Sequence, residues 1–378
     1  SRVYRISDPE WQKRASAVCE HSWVEPRPEL VKALVCSEGL PAVRLHTQGP
    51  DFYDKTYFLK RGDLNQKQGE ASPGFLQVLT RAPEQEQRWI QPLPEGARTS
   101  GRRAALARWL TDIEAGAGHL LARVIVNRLW QHHMGRGIVG TPSDFGFQGE
   151  QPTHPELLDW LAQELIRNEW RLKPLHKLIM LSAVYQQGSD ADEQRRALDP
   201  DNTLWWHKPR QRLEAEIIRD SILSVSGALD RKMFGPGSLD PNMRRRSIYF
   251  TLKRSQLPPM LVTFDAPDTL QSMGQRGSTT VAPQALLLMN NPAVRSAARN
   301  WASRIAPGAA QAGEDSLRRV YLAVLGREPG EKELSASIAF LRAQEASYGA
   351  AGKPEPAVLA WTDLLHALLG LNEFVYLD

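Results

Sequence analysis

The chain has 378 residues, 42% hydrophobic and 24% charged, a composition typical of a soluble globular protein with room for two or three domains. Its 47 basic and 43 acidic side chains leave a formal net charge of only +4, and the short clusters Arg102-Arg103 and Arg244-Arg245-Arg246 lack the motif or aromatic interleaving of a nucleic-acid reader. No apolar run reaches the length of about 18 residues that a membrane span needs, and the two cysteines, Cys19 and Cys36, form no Cys-x-x-Cys-His for haem attachment, so no cofactor is expected.

The opening Ser-Arg-Val-Tyr has neither an initiator Met nor an apolar leader core and reads as the start of a processed or excised fragment. Short helices are predicted around Pro9 to Glu20 and Pro28 to Ser37. Lys55 to Lys60 alternates, with β-branched and aromatic residues, as a strand does. Gly62 to Gly101 shows little periodicity and reads as a long wrapping excursion. Thr99 or Ser100 then caps a helix from Arg102 to Asp112 that buries Leu106, Trp109 and Leu110.

Arg123 to Gln187 holds three helical segments and the densest set of His, Trp, Arg and Asn. Leu121, Val124, Ile125 and Leu129 recur at helical spacing, and Gly135, Gly137, Gly140 and Pro142 end that helix. Thr153 with Glu156 makes a capping box, and Pro155 suits a first turn. The helix so started buries Leu157, Leu158, Leu161 and Leu165. A third begins near Lys173-Pro174, buries Leu175, Leu178, Ile179 and Tyr185, and pairs with the second as an antiparallel hairpin.

Beyond a polar loop, Ser189 to Asn202, a helix is predicted from Arg210 to Leu229, with Arg212, Glu216 and Asp220 at i, i+4, i+8 as a charge-paired line. Alternation in Ser247 to Lys253 and in Met260 to Phe264 predicts two strands, joined with Lys55 to Lys60 in a small antiparallel sheet. A helix from Pro283 to Ile305 is interrupted at Asn290-Asn291-Pro292, because the residue before proline resists helical backbone. Pro307 to Gly313 reads as a hinge. Amphipathic helices near Ser316 to Leu325, Gly330 to Gln344 and Pro356 to Leu371 complete a C-terminal bundle. The fold class is therefore mainly α, a multi-helix bundle with a small antiparallel β-sheet insertion, in segments 1–98, 99–306 and 307–378.

Each candidate site has a plain structural reading beside it. Asp265 and Asp268, with Arg276 nearby, are expected at a strand end, where two carboxylates share acid/base work or take a cation; the plain reading is an Asx turn with an arginine tie. Glu214, Glu216 and Asp220 would face them across a cleft, and carboxyls roughly 5 to 10 Å apart suit glycoside hydrolysis. Arg212 and Arg219 on the same predicted helix favour a salt-bridge ladder instead. His132 and His133 point to different helix faces, so one of them with His154 and Asp144 would make a ligand set or acid/base pair; structural histidines are the plain reading. Asn127 and Arg128 read first as a buried polar network. Cys19, His21, Cys36 and His46 match no standard zinc spacing and read as structural thiols and neighbours. Trp205-Trp206, Trp23 and Trp89 offer faces for sugar stacking, whereas Trp109 and Trp160 fall on core stripes. No Gly-x-Ser-x-Gly, Walker loop, dinucleotide fingerprint or His-Glu-x-x-His occurs.

The strings Asn127 to Val139, Thr141 to Gly146, Pro152 to Trp160, Arg212 to Asp220, Arg245 to Tyr249, Phe264 to Asp268, Ser278 to Ala285 and Asn372 to Tyr376 together resemble the planctomycete-type domain of unknown function found C-terminal to cytochrome-c-like modules. Leu59 to Asp63 looks like the joint to the preceding module. The resemblance implies an exported, periplasmic or extracellular setting in organisms rich in polysaccharide-degrading genes, and no assigned reaction. Where the family pattern commonly has Cys after Phe-Asp-Ala-Pro-Asp, this chain has Met273, which puts any thiol-based role there in doubt.

Residues and resemblance together lead to the expectation of a polysaccharide-related module, a glycoside hydrolase using Asp265, Asp268 and Glu216. Arg276, Arg212, Asn127, Arg128, His132 and Trp206 would contact substrate, with no metal. One alternative is a non-enzymatic scaffold docking a cytochrome-c-like module or a surface partner. Another is a metal-dependent enzyme built on His132 or His133, His154 and Asp144.

Overall fold

The computed structural model describes residues 8–24, 56–81, 83–97, 99–190, 192–253, 257–267, 272–305 and 313–377. The helix expected at 28–37, Cys36, His46, Asp268 and nearly all of the expected hinge lie outside these residues, as do the side chains of Cys19 and Trp23. The chain divides into two compact units. One comprises Ser1–Cys36 with Met233–Pro236 and contains helix α1, Pro9–Val24, whose first amides are capped by the Asp8 carboxylate (Glu10 N at 2.9 Å). The other comprises Ser37–Lys232 and Gly237–Asp378 and holds everything that follows.

Strands β1, Tyr57–Leu59, and β2, Lys67–Glu70, pair as an antiparallel hairpin with a register irregularity after Phe58. Beyond them a small aromatic core ties the 62–101 excursion to helix α2, Arg102–Thr111. Trp89 and Trp109 are buried there against Phe75, with the indole N–H groups donating to Asp112 Oδ2 (2.9 Å) and Thr80 Oγ1 (3.1 Å). Leu106, expected inside, is exposed, and Trp89, expected as a sugar platform, is 2% exposed. An indole that buries its ring and satisfies its N–H outcompetes a leucine for the same core.

A second core is formed by α3, Gly118–Met134, α4, Pro155–Arg167, and α5, Leu172–Met180. On α3 the fully buried row is Ala122, Val126, Trp130 and Met134, one step round from the expected stripe, with Ile125 and Leu129 only partly covered. The four-residue spacing is helical in both cases; the pairing with α4 selects the row that carries Trp130. Thr153 forms no capping box. Its amide and hydroxyl both donate to Ile138 O, so it pins the loop, and His154 occupies the N-cap without a side-chain bond. Left-handed backbone at Glu169 and Trp170 turns α4 into α5. Trp160, expected in the core, is 45% exposed. Helix α6, Glu193–Leu198, follows, capped by the Asp192 carboxylate.

The largest core joins α7, Ala215–Val225, α8, Pro259–Thr263, α9, Ala282–Asn290, α10, Pro292–Ile305, α11, Glu314–Leu325, α12, Glu331–Ala350, α13, Pro356–Leu369, and α14, Asn372–Val375. The break between α9 and α10 falls at Asn291, before Pro292, as the sequence predicts. Strands β3, Gln211–Arg212, and β4, Tyr376–Leu377, pair antiparallel, and Leu213 N donates to Val375 O, so the end of the chain is stitched to the entry of α7.

The described residues form a mainly α fold with two short antiparallel pairs, but not the pair expected at 247–253 and 260–264. Ser247–Tyr249 is a single helical turn whose first amide is taken by Asp220, and Ile248 and Leu252 face outward while Phe250 is buried. Pro258-Pro259 cannot donate to a ladder and presets a helical start. Met260 to Phe264 accordingly buries Leu261 and Phe264, three apart, and exposes Val262. The charge-paired line is also absent: helix α7 begins at Ala215, leaving Arg212 on a strand, and Glu216 and Asp220 pair with Arg276 and Ser247 from distant segments.

Candidate functional site

A cleft of about 800 Å³ opens where the second core meets the largest one: Met134 and Trp205 reach it from one side, Ala215 and Phe264 from the other. Such junctions are where ligand sites commonly form, and the volume is within the usual range for them. The last two turns of α3 supply Arg128, Gln131 and His132, and the helix stops at Gly135 in left-handed backbone (φ 84°). A side chain there would be strained and would meet Gln211 Nε2 at 3.0 Å, so glycine lets β3 approach the helix end. Gln211 Nε2 and Lys208 Nζ both donate to His133 O at that end, and Gln131 Nε2 donates to Gly274 O at 3.4 Å on the facing loop.

Arg212, on β3, is fixed from three directions. Its Nη2 donates to Asp265 Oδ2 (2.8 Å) and Phe264 O (3.3 Å), and its Nη1 donates to Thr279 O (2.9 Å). Asp265 follows α8 in left-handed backbone (φ 60°), which aspartate tolerates and which turns the carboxylate back toward the strand. Thr279 completes the arrangement, donating both its amide (2.8 Å) and its hydroxyl (2.9 Å) to Asp265. Burial acts to raise the Asp265 pKa, but the Thr279 and Arg212 donors outweigh it and hold the carboxyl below its ordinary range.

Arg276 is held in the same way from the facing loop. Its Nη1 lies 2.7 Å from Glu216 Oε2 and 3.3 Å from Glu214 Oε2. Burial works against the guanidinium charge, yet the two carboxylates more than compensate and raise its pKa. Glu214 lines the cleft, whereas Glu216 stands behind Arg276.

Of the expected residues, the fold therefore gathers Asp265, Arg212, Arg276, Arg128 and His132 on one cleft, with Glu216 supporting it. Asp268 lies outside the described residues. Asn127 is elsewhere: it is fully buried, accepting from Val139 N (2.8 Å) and donating to Val139 O (3.0 Å), which fixes the glycine-rich loop. Trp206 donates to Asp199 O and packs on His207; its neighbour Trp205 is the one that lines the cleft. The left-handed backbone of Trp205 (φ 55°) decides which indole faces the space, and adjacent tryptophans carry no linear signal of that choice. Glu214, expected among the carboxylates facing Asp265, lines the cleft, and so do Gln131, Arg136 and Arg210.

His133 leaves the cleft for the α5 side, where its Nε2 is 2.8 Å from His176 Nδ1. His154 contacts Thr153, and Asp144 accepts from Gly146 N. Among the described residues no group of three or more His, Cys, Asp or Glu is placed to share one metal ion, so the fold does not gather His132 or His133 with His154 and Asp144. No helix of the described residues is long and apolar enough to cross a membrane.

No curated protein and no solved structure matches this chain. A family model does, over residues 102–341, a span that contains every residue lining the cleft except Leu377. Its description is PSD1, protein of unknown function (DUF1553), and with well over half of its length matched the chain belongs to that family.

Proposed function

We propose that the cleft is a polysaccharide-binding site in which the carboxylates position the arginines. The observation that carries this reading is the repeated clamp: Asp265 on Arg212 and Glu214 with Glu216 on Arg276, two guanidiniums from separate segments held at the edge of one space. Rigidly held planar donors beside the exposed apolar side chains of Ile217, Met273 and Leu377 suit the hydroxyl-rich, two-faced surface of a sugar chain. The exported, polysaccharide-rich setting implied by the sequence motifs supports the same substrate class. The test is a glycan panel probed with the wild type and with Arg276→Gln. Binding of a glycan that weakens about tenfold in the variant supports the reading, on the scale of one charge-assisted bond. Retained binding in the variant removes the cleft from it.

Hydrolysis is a second reading, favoured by one observation: Glu214 and Asp265 both line the cleft, and Asp265 is kept ionised by its donors, as a nucleophile or base must be. Glu216 then serves through Arg276. Turnover of any bound glycan, abolished in both Asp265→Asn and Glu214→Gln, supports hydrolysis; turnover that survives both changes excludes these carboxylates.

A further inference from the structure

We infer that the ligand of the cleft is anionic, a glycan bearing carboxylate or sulfate groups, with Arg128 and His132 as its anion subsite. The inference rests on the polysaccharide reading above and adds the ligand's charge.

Its first support is the character of the unmet groups. Three buried side-chain polar atoms of the described residues have no hydrogen-bond partner, Trp130 Nε1, Trp205 Nε1 and Arg212 Nε, and all three are donors. Two of these residues line the cleft, the Arg212 side chain 4% exposed and Trp205 6% exposed. Any group that comes to pair these donors has to bring acceptors, and an ionised carboxylate or a sulfate ester offers only acceptors.

The second support is a pair of donors without partners. Asp265 and Glu214 are occupied by Arg212 and Arg276. Arg128 and His132 stand one turn apart on α3, both exposed and both lining the cleft, and neither has a hydrogen bond or ion pair with a described residue. Arg136, on the same wall, is instead ion-paired with Glu150 at 2.6 Å. Guanidinium and imidazole at i, i+4 present two donors to one oxyanion from a rigid element.

One polymer in three charge states tests this: dextran, carboxymethyl dextran and dextran sulfate, each titrated into the full chain at about 0.15 M salt, where long-range attraction is largely screened. The expected result is binding of an anionic form and none of dextran, the tighter of the two anionic forms identifying carboxylate or sulfate. Arg128→Gln and His132→Gln should each weaken that binding about tenfold, the scale of one charge-assisted hydrogen bond. Arg342→Gln, an exposed arginine on α12 outside the cleft, should leave it unchanged. Equal binding of dextran and its anionic forms overturns the inference and leaves the polysaccharide reading standing. Equal loss in all three variants overturns the subsite, since attraction is then diffuse. Failure of all three polymers, with a silent glycan panel, overturns both.

Discussion

Arg212 Nη2 and Asp265 Oδ2 meet at 2.8 Å across 53 residues of sequence, joining a two-residue strand to the turn after a five-residue helix. The arginine side chain is almost wholly buried and the aspartate about four-fifths buried, so the pair is shielded from water and its geometry is shared with Thr279.

Asp265→Asn keeps the side-chain shape and the tolerance for left-handed backbone, and removes only the charge and one acceptor. It should cost about 2 kcal/mol, below the range for breaking a fully buried pair because part of the carboxylate faces solvent. Urea unfolding near neutral pH measures it. The pH dependence has a definite sign. The folded pKa lies below the unfolded value of about 3.9, so this stability is present above pH 4 and is lost as pH falls through the folded pKa. In the variant that acid-side contribution should be missing.

Asn127→Leu leaves Val139 N and Val139 O without their side-chain partners in a site that excludes water. A loss of about 2–4 kcal/mol is expected from two unmet backbone groups. Chemical denaturation gives the number. Asn127→Asp should not rescue it, because the recovered acceptor comes with a buried charge facing Val139 O.

His133 predicts a transition on the acid side of neutrality. Burial first, then the charges of His176, Lys208 and His132, depress its pKa, and the Tyr185 ring closes another side. The folded state then binds fewer protons than the unfolded one, so stability is full above about pH 6.5 and falls as pH drops below it, levelling at the folded pKa. Melting temperatures between pH 7.5 and 5 should decline in the wild type and decline less in His133→Gln. Identical slopes would remove His133 as the cause.

Arg327 holds Glu333 at the start of α12 and Glu373 at the start of α14 with four donor contacts of 2.5–2.8 Å. The Arg327 bonds, then the Gly330 amide, bring the Glu333 pKa down to about 2 from 4.5. Glu333 is more than a third exposed, so solvent screening reduces the worth of the network to about 1 kcal/mol. Arg327→Ala should show that loss at low salt and a smaller one at about 1 M salt. The wild-type advantage should fade as pH falls from 4.5 toward 2, since protonated Glu333 no longer attracts the guanidinium.

The local signals in the sequence were reliable where a covalent constraint or a helical period governs the outcome. Gly135 ends α3, Pro292 separates α9 from α10, and three apolar helical periods complete the chain, all visible without coordinates because proline geometry, glycine freedom and the 3.6-residue repeat are properties of the chain itself. Alternation over five to seven residues was not reliable, because Met260 to Phe264 satisfies both a strand and one and a half turns of helix; the two prolines before it decide the matter through backbone donors the strand would need.

The site divides along the same line. Asp265, Glu216, Arg212 and Arg276 could be picked out singly as charged groups near turns and helix starts, but their pairing was not written in their spacing. Arg212 finds Asp265 instead of Glu216 because β3 pairs with β4 and holds Arg212 out of α7, and Asn127 turns inward because Val139 returns beside it. The sequence alone determined where helices begin and end and which residue types were available for a site. Only the tertiary structure decided which arginine each carboxylate holds and which donors remain open, because those depend on long-range contacts whose energies outweigh any preference between sequence neighbours.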